Sequence, residues 1–273
     1  MTTAVCAAAL AAGVTGCSQF DQNIPDLGTG TGGQQGVRPA VAAPSPSPSP
    51  DPFKGMSADA IADKAVAATT SAKSLRMTGR VVSEGQPLAI DFSVNDKSEC
   101  TGTLKVQGGL AQLRQTDNVA YMKGDERFWR TSMTSQGLPE PQIDATVELL
   151  KGRWVKIAAG QQGSTELAGV CDLKSLLADL KTDKDARTGL TRGKDSRVGA
   201  VPTATLVKKK ADGERTTVSV AQRGKPYILR IVKTGGDEPG AIRLSAFDKP
   251  VKVVTPPADE TVDLSRLEQG TGA

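Results

Sequence analysis

The 273-residue chain contains no histidine. Histidine provides the base in Ser-His-Asp and Cys-His catalysis, and it is the commonest metal ligand. Its absence therefore excludes these kinds of active site, and the sequence also lacks a G-x-S-x-G or S-x-x-K arrangement. We predict that the chain is not an enzyme and needs no cofactor or metal. A carboxylate enzyme without histidine, such as a glycosidase, is the alternative left open.

Aromatic residues are also scarce, at 3% of the chain, and the net charge is only +4. Stacking platforms for bases need exposed aromatic rings, and nucleic-acid binding needs a strongly basic surface. We therefore predict no nucleic-acid partner. No apolar run reaches the ~20 residues that a membrane-spanning helix requires.

The sequence Val14-Thr15-Gly16-Cys17 follows an alanine-rich run and resembles a bacterial lipobox. It predicts a signal peptide over residues 1–16 and a lipid on Cys17. We expect the positively charged beginning of this signal peptide to lie upstream of Met1. The protein would then be held at the cell membrane, on its extracytoplasmic face, by this anchor. A secreted chain with an unmodified Cys17 is the alternative interpretation.

Residues 17–52 form a predicted tether that is rich in glycine, then in Pro-Ser repeats. Such segments bury too little apolar surface to fold. The remaining residues, 53–273, form one predicted domain. Two cysteines fall in this domain, Cys100 and Cys171. In an oxidising compartment an even pair predicts a disulfide, although two buried thiols or one reactive thiol are also compatible with the sequence.

Within the domain, the hydrophobic pattern changes between helical and strand periodicity. Ser57 predicts the start of one helix, and Asp172 the start of another that carries four leucines up to Leu180 and has Lys181 and Lys184 near its end. A third helix is expected from the spacing of Ile143, Val147 and Leu150. Alternating apolar residues separated by turn signals predict two series of antiparallel strands. The first series runs from 75 to 130, with 128–130 as its last strand, and the second from 190 to 247.

This order predicts an α+β fold: a large curved antiparallel sheet, a half-barrel of about 10–11 strands. A few helices would cover its concave face. Because the helices are few and short, they leave room for a hydrophobic ligand. Seven side chains are the candidate contacts, and a dry core is the alternative role for each of them. They are Ile90, Phe92, Leu104, Tyr121, Leu229, Ile231 and Leu244. Trp129 and Trp154 are expected at the rim of the cavity or in the core.

Seven short segments of the domain carry a family resemblance: residues 57–61, 71–75, 121–124, 128–129, 171–173, 227–230 and 247–251. They resemble the actinobacterial LppX/LprG-like lipoproteins and, more distantly, the LolA-like fold. The resemblance implies a hydrophobic lipid or acyl ligand and a carrier or chaperone role. We expect a monomer whose partners are the membrane, the ligand and an envelope protein. A non-catalytic interaction or sensory module with a filled core is the second hypothesis.

Overall fold

The computed structural model describes residues 50–83, 85–161 and 164–263, so the predicted signal peptide and Cys17 lie outside the described residues. The helices are α1 (Ala58–Thr70), α2 (Glu126–Ser135), α3 (Glu140–Leu150), α4 (Ser164–Cys171), α5 (Leu173–Leu176) and α6 (Ala178–Thr182). The strands are β1 (Ser74–Ser83), β2 (Gln86–Asn95), β3 (Cys100–Val106), β4 (Gly109–Thr116), β5 (Val119–Gly124), β6 (Trp154–Ile157), β7 (Thr191–Arg192), β8 (Ser196–Val198), β9 (Val201–Lys209), β10 (Arg215–Ala221), β11 (Ile228–Thr234), β12 (Gly240–Ser245) and β13 (Thr261–Asp263).

The strands of the described residues form one open sheet in the order β13-β6-β5-β4-β3-β2-β1-β12-β11-β10-β9-β7, with β8 paired to β9. The predicted fold class, a large sheet with few helices, is confirmed. The strand number is larger than the predicted 10–11, because 190–198 gives two short strands and the segment after 251 adds β13. The sheet is also mixed, since β13 runs parallel to β6.

Helix α1 begins where the sequence predicts. The side chain of Ser57 accepts a hydrogen bond from the backbone N–H of Ala60 at 3.2 Å, which caps the first turn. Ile61 and Ala65 are completely buried on one side of the helix. The helix packs this side against β10 and β11. Capping and a narrow apolar stripe are thus sufficient to place α1.

The prediction of a strand at 128–130 is wrong, because these residues belong to α2. Asp125 caps this helix: its Oδ1 accepts from the N–H of Phe128 at 2.7 Å, and its Oδ2 accepts from the N–H of Leu110 at 3.0 Å. The same carboxylate thus starts the helix and fixes it to β4. The predicted helix from Asp172 to Leu180 is also interrupted, with α5 ending at Leu176 and α6 starting at Ala178.

The register of the sheet defines two faces. Directly opposed residues on neighbouring strands point to the same side. Phe92 is opposite Met77 and Gly102, and Met77 is opposite Leu244. We call this side, which the helices cover, the inner face. The other side, which carries Arg76, is the outer face.

Three of the segments that carry the family resemblance meet at one end of β1 and β12. Asp248 accepts hydrogen bonds from the Tyr227 hydroxyl at 2.6 Å and from the Lys73 backbone N–H at 2.8 Å. The Tyr227 ring stacks on Phe247 with centroids 4.0 Å apart. The hydroxyl of Ser74 donates to the carbonyl of Lys249 at 2.5 Å. These segments therefore contribute to folding, by fastening the end of β12 to the start of β1.

The Asp248 carboxylate gives a pH-dependent prediction. The hydrogen bonds from Tyr227 and the Lys73 backbone, together with Lys225, lower its pKa from 3.8 to about 2. A lowered pKa contributes stability above pH 3.8 that is lost as the pH falls through about 2. We expect urea unfolding of the Asp248→Asn variant to show less loss of stability across this window than the wild type. Identical pH dependence in the two proteins would contradict this assignment. Because Asp248 is partly exposed, the effect will be modest.

Candidate functional site

The inner face changes from fully buried to half-buried along β1, β2 and β3. At one end, Leu75, Val94 and Cys100 are 1%, 0% and 0% exposed. Two residues further along each strand, Phe92 is still buried and Met77 is half-buried. In the next cross-strand row, the apolar side chains are all half-buried. This row, which we call the apolar row, contains Ile90, Leu104, Ile242, Ile231 and Val218.

The apolar row ends at Trp129. On β4 and β5, the residues that continue the row beyond Leu104 are Ala111 and Gly124. The Trp129 indole lies over Gly124 so closely that a Cβ there would be 2.8 Å from the ring, which makes glycine necessary at this position. The indole N–H is buried and has no hydrogen-bond partner among the described residues. The apolar row thus runs up to an aromatic side chain with an unused donor.

Different helices cover different parts of the inner face. Helix α1 packs against β10 and β11, and α2 packs against β4 and β5. Helix α3 packs on α2, where Met133, Ile143 and Val147 form a small separate core with Trp129 at its edge. The apolar row crosses the central strands between these two groups of helices, which explains why its side chains keep part of their exposure.

The structure joins Cys100 and Cys171 in a disulfide, with Cα atoms 5.2 Å apart. Both cysteines are 0% exposed. The bond connects the last residue of α4 to the first residue of β3, at the fully buried end of the inner face. It therefore fixes α4 and the following α5 to the sheet. Beside it, a pocket of about 270 Å³ lies between α4 and the sheet, lined in part by Gln115, Ala120, Ile157 and Ala168.

Five of the seven predicted ligand contacts come together on the inner face. Phe92 and Leu244 are buried in the main core, and Ile90, Leu104 and Ile231 pack against it while half-buried. Sequence reasoning missed Met77, Ile242 and Val218 as contacts. Each alternates with polar or small neighbours, and this strand signal could have identified them.

Tyr121 does not join this group, which corrects its prediction. It is opposite Arg114 on β4 and Lys156 on β6, and both lie on the outer face. There it lines a pocket of about 260 Å³ with Thr255 and Pro256. Its neighbours Ala120 and Met122 are both apolar, so the sequence of β5 could not decide which residues point inward.

Leu229 is likewise displaced from its predicted position. The register between β10 and β11 shifts, with Ser219 opposite Arg230 but Val220 opposite Ile228, so that Leu229 is the extra residue of a bulge. Ile228 is 4% exposed and takes the core position instead. Trp154, the second tryptophan considered, is 3% exposed on the outer face, where the Arg114 guanidinium lies 4.4 Å above its ring.

Within the described residues, no group of three or more Cys, Asp or Glu side chains is arranged to hold a metal ion. Over the same residues, no helix combines the length and apolarity needed to cross a membrane.

Comparison with solved structures finds LprF from Mycobacterium bovis at 14% identity, with a TM-score of 0.50, covering 74% of this chain and 97% of that chain. LppX from Mycobacterium tuberculosis is 16% identical, with a TM-score of 0.42 and coverage of 72% and 97%. No family model and no curated protein matches the chain.

These comparisons place the domain in a structural class. The predicted resemblance to LppX-like lipoproteins of LolA-like fold is confirmed for the fold, by the match to LprF. At these sequence identities the structural similarity establishes the fold and does not establish the function. The TM-score for LppX is too low to support a comparison. The function must therefore be inferred from the inner face itself.

Proposed function

We propose that the protein is a lipid-anchored extracytoplasmic binding protein, which holds a lipid or acyl ligand on the inner face and serves as a carrier or chaperone. The observation that carries this proposal is the apolar row. Five aliphatic side chains, on β3, β2, β12, β11 and β10, remain half-buried between two groups of helices, with Gly79 of β1 in line between Ile90 and Ile242. An acyl chain placed along them would leave water at ~25 cal/mol for each Å² of apolar surface buried.

The ligand proposed here needs little polar recognition. The row presents only aliphatic side chains until it reaches Trp129, whose buried N–H could donate to an ester or acid oxygen. This arrangement, mostly apolar with one placed polar group, is typical of small-molecule sites. Binding by burial requires no catalytic residue, in agreement with the predicted absence of enzyme activity.

The proposed anchor is the acylated Cys17, connected to the domain through the tether. In the structure, the chain is attached to the domain from Asp51 onward. The Asp51 carboxylate pairs with Arg192 at 2.7 Å and accepts from Gln222 at 3.3 Å. This ion pair supports a junction between tether and domain close to the predicted boundary at residue 53.

Native mass spectrometry of the full chain, extracted from membranes in mild detergent, tests the proposal. We expect one population with bound lipid, and an intact mass that includes acyl groups on Cys17. In a second measurement, fluorescent fatty acid is titrated into the wild type, Ile231→Gln and Val232→Gln. Ile231 and Val232 are adjacent half-buried residues on opposite faces of β11. We expect about tenfold weaker binding for Ile231→Gln, the cost of one lost aliphatic contact, and no change for Val232→Gln.

Ligand-free protein from the membrane, combined with no fatty-acid uptake, would contradict the proposal. Equal weakening by the two variants would also contradict it, because the inner face would then not be the site. In either case the filled-core interaction module would become the better hypothesis.

A further inference from the structure

Four cations on the central strands of the outer face have no partner among the described residues. Arg80, Lys105, Arg230 and Arg243 are all exposed, and none forms an ion pair or side-chain hydrogen bond with any described residue. They lie on strands β1, β3, β11 and β12, at the centre of the sheet. We call these four residues the basic surface.

The register brings the basic surface together. Arg230 is directly opposite Arg243, so two like charges face each other across neighbouring strands. Arg80 is opposite Ala241, two residues from Arg243, and is therefore its diagonal neighbour at about 7–8 Å. Lys105 lies two strands from Arg80, at about 10 Å. Directly opposed like charges destabilise a sheet, and an anion bound between them would offset this cost.

Three other cations on the outer face are already engaged. Arg76 pairs with Asp91 at 2.6 Å, and Lys156 pairs with Asp263 at 2.9 Å. Arg114 lies over Trp154 and donates to the carbonyl of Val254 at 2.9 Å. Asp91 and Asp263 therefore compensate other cations, and the charge of the basic surface is available to an external anion.

An apolar depression adjoins the basic surface. It has a volume of about 500 Å³, and Val82, Pro87, Ala89 and Pro239 are among its lining residues. Arg80 and Lys105 also line it. Cations beside apolar side chains suit a membrane interface. There the acidic headgroups contact the cations, and the acyl chains just beneath the headgroups contact the apolar side chains.

We propose that the basic surface docks the domain onto a membrane surface containing anionic lipid. Charge complementarity selects this occupant: four unpaired cations on one face of the sheet match a surface of negative headgroups, each contributing about 1 kcal/mol near such a surface. This docking is independent of ligand binding on the inner face. It would add an electrostatic contact to the anchor proposed at Cys17 and orient the domain at the membrane.

The test uses the full chain with Cys17→Ser, so that no acyl group can insert. Co-sedimentation is measured with vesicles of phosphatidylglycerol mixed with phosphatidylcholine, and with phosphatidylcholine alone. The variant carries Arg80→Gln, Lys105→Gln, Arg230→Gln and Arg243→Gln. The matched control loses four exposed lysines that are not on the outer face of the sheet: Lys54, Lys64, Lys151 and Lys174, each changed to Gln. Both proteins therefore have the same net charge.

We expect binding to mixed vesicles to fall roughly 600-fold in the outer-face variant and much less in the control, since each of the four cations near the surface contributes about fivefold. Binding of the parent protein should weaken with salt and be absent on phosphatidylcholine. Equal losses in variant and control, or equal binding to both vesicles, would overturn the proposal. Fatty-acid uptake by the outer-face variant should match the parent, which separates this result from any failure of the proposed function.

Arg243→Gln alone provides a second readout. Because it removes one of two opposed like charges, we expect its thermal midpoint to equal or exceed that of the parent, while vesicle binding falls about fivefold. A lower midpoint with unchanged vesicle binding would assign Arg243 a structural role and overturn the proposal.

Discussion

Replacement of both Cys100 and Cys171 by alanine is expected to lower the free energy of unfolding by about 4 kcal/mol. The two residues are 71 positions apart, and closing a loop of this length removes that much conformational entropy from the unfolded chain. The bond also holds α4 and α5 over the buried end of the inner face. Its loss should therefore expose Leu75 and Val94 during partial unfolding. Urea unfolding of the variant and wild type under oxidising conditions measures the difference.

The control for this prediction is the wild type unfolded in the presence of a thiol reductant, which should give the same free energy as the variant. Both cysteines are completely buried, so reduction of the native protein should be slow and should follow global opening. A variant within about 1 kcal/mol of the oxidised wild type would contradict the stabilising role, since it falls well below the loop-closure value.

Gly102→Val is expected to destabilise the domain by about 3 kcal/mol, at the upper end for an overpacked core. A Cβ at Gly102 would lie 2.3 Å from the carbonyl oxygen of Asp91 and 2.4 Å from a ring carbon of Phe92. The Phe92 ring must then leave its place on the inner face, or β2 and β3 must separate. Because Ile90 and Leu104 flank this position, fatty-acid binding should weaken as well.

Gly169→Ala is the matched control for Gly102→Val. Gly169 lies in α4, and a Cβ there would have no atom within 4 Å. Alanine is favoured over glycine in a helix by up to about 1 kcal/mol, so we expect a neutral or slightly stabilising effect. Urea unfolding compares the two variants. Equal stability of Gly102→Val and the wild type would contradict the prediction. It would mean that the Phe92 ring does not need the space that the absence of a side chain at Gly102 leaves.

Much of the fold could be predicted from local patterns. Ser57 caps α1 at the predicted residue, and the alternation in β2 correctly puts Ile90 and Phe92 on the inner face. The strand predicted at residues 128–130 is wrong, because the Asp125 carboxylate caps the N-terminus of a helix that includes these residues. The interrupted helix after Asp172 is a similar error in element boundaries, where sequence signals are weakest.

The candidate site could be predicted only where a strand's alternation has a clear phase. In β5, Ala120, Tyr121 and Met122 are all hydrophobic, so the pairing with Arg114 on β4 decides that Tyr121 points outward. In β11, the bulge puts Ile228 at the core position that was predicted for Leu229. Such a register shift depends on the partner strand, and it leaves no reliable signal in the sequence of β11 alone.

By itself, the sequence determined that histidine chemistry is absent and that the domain is a helix-covered sheet with one apolar face. It did so because composition and periodicity are local properties of the chain. Only the tertiary structure decided that β1 pairs with β12, which brings Ile242 into line with Ile90 across Gly79 and completes the apolar row. The register between the consecutive strands β11 and β12 placed Arg230 opposite Arg243. Contacts between strands far apart in the chain depend on the whole packed sheet, because many registers satisfy the same alternation until the core selects one.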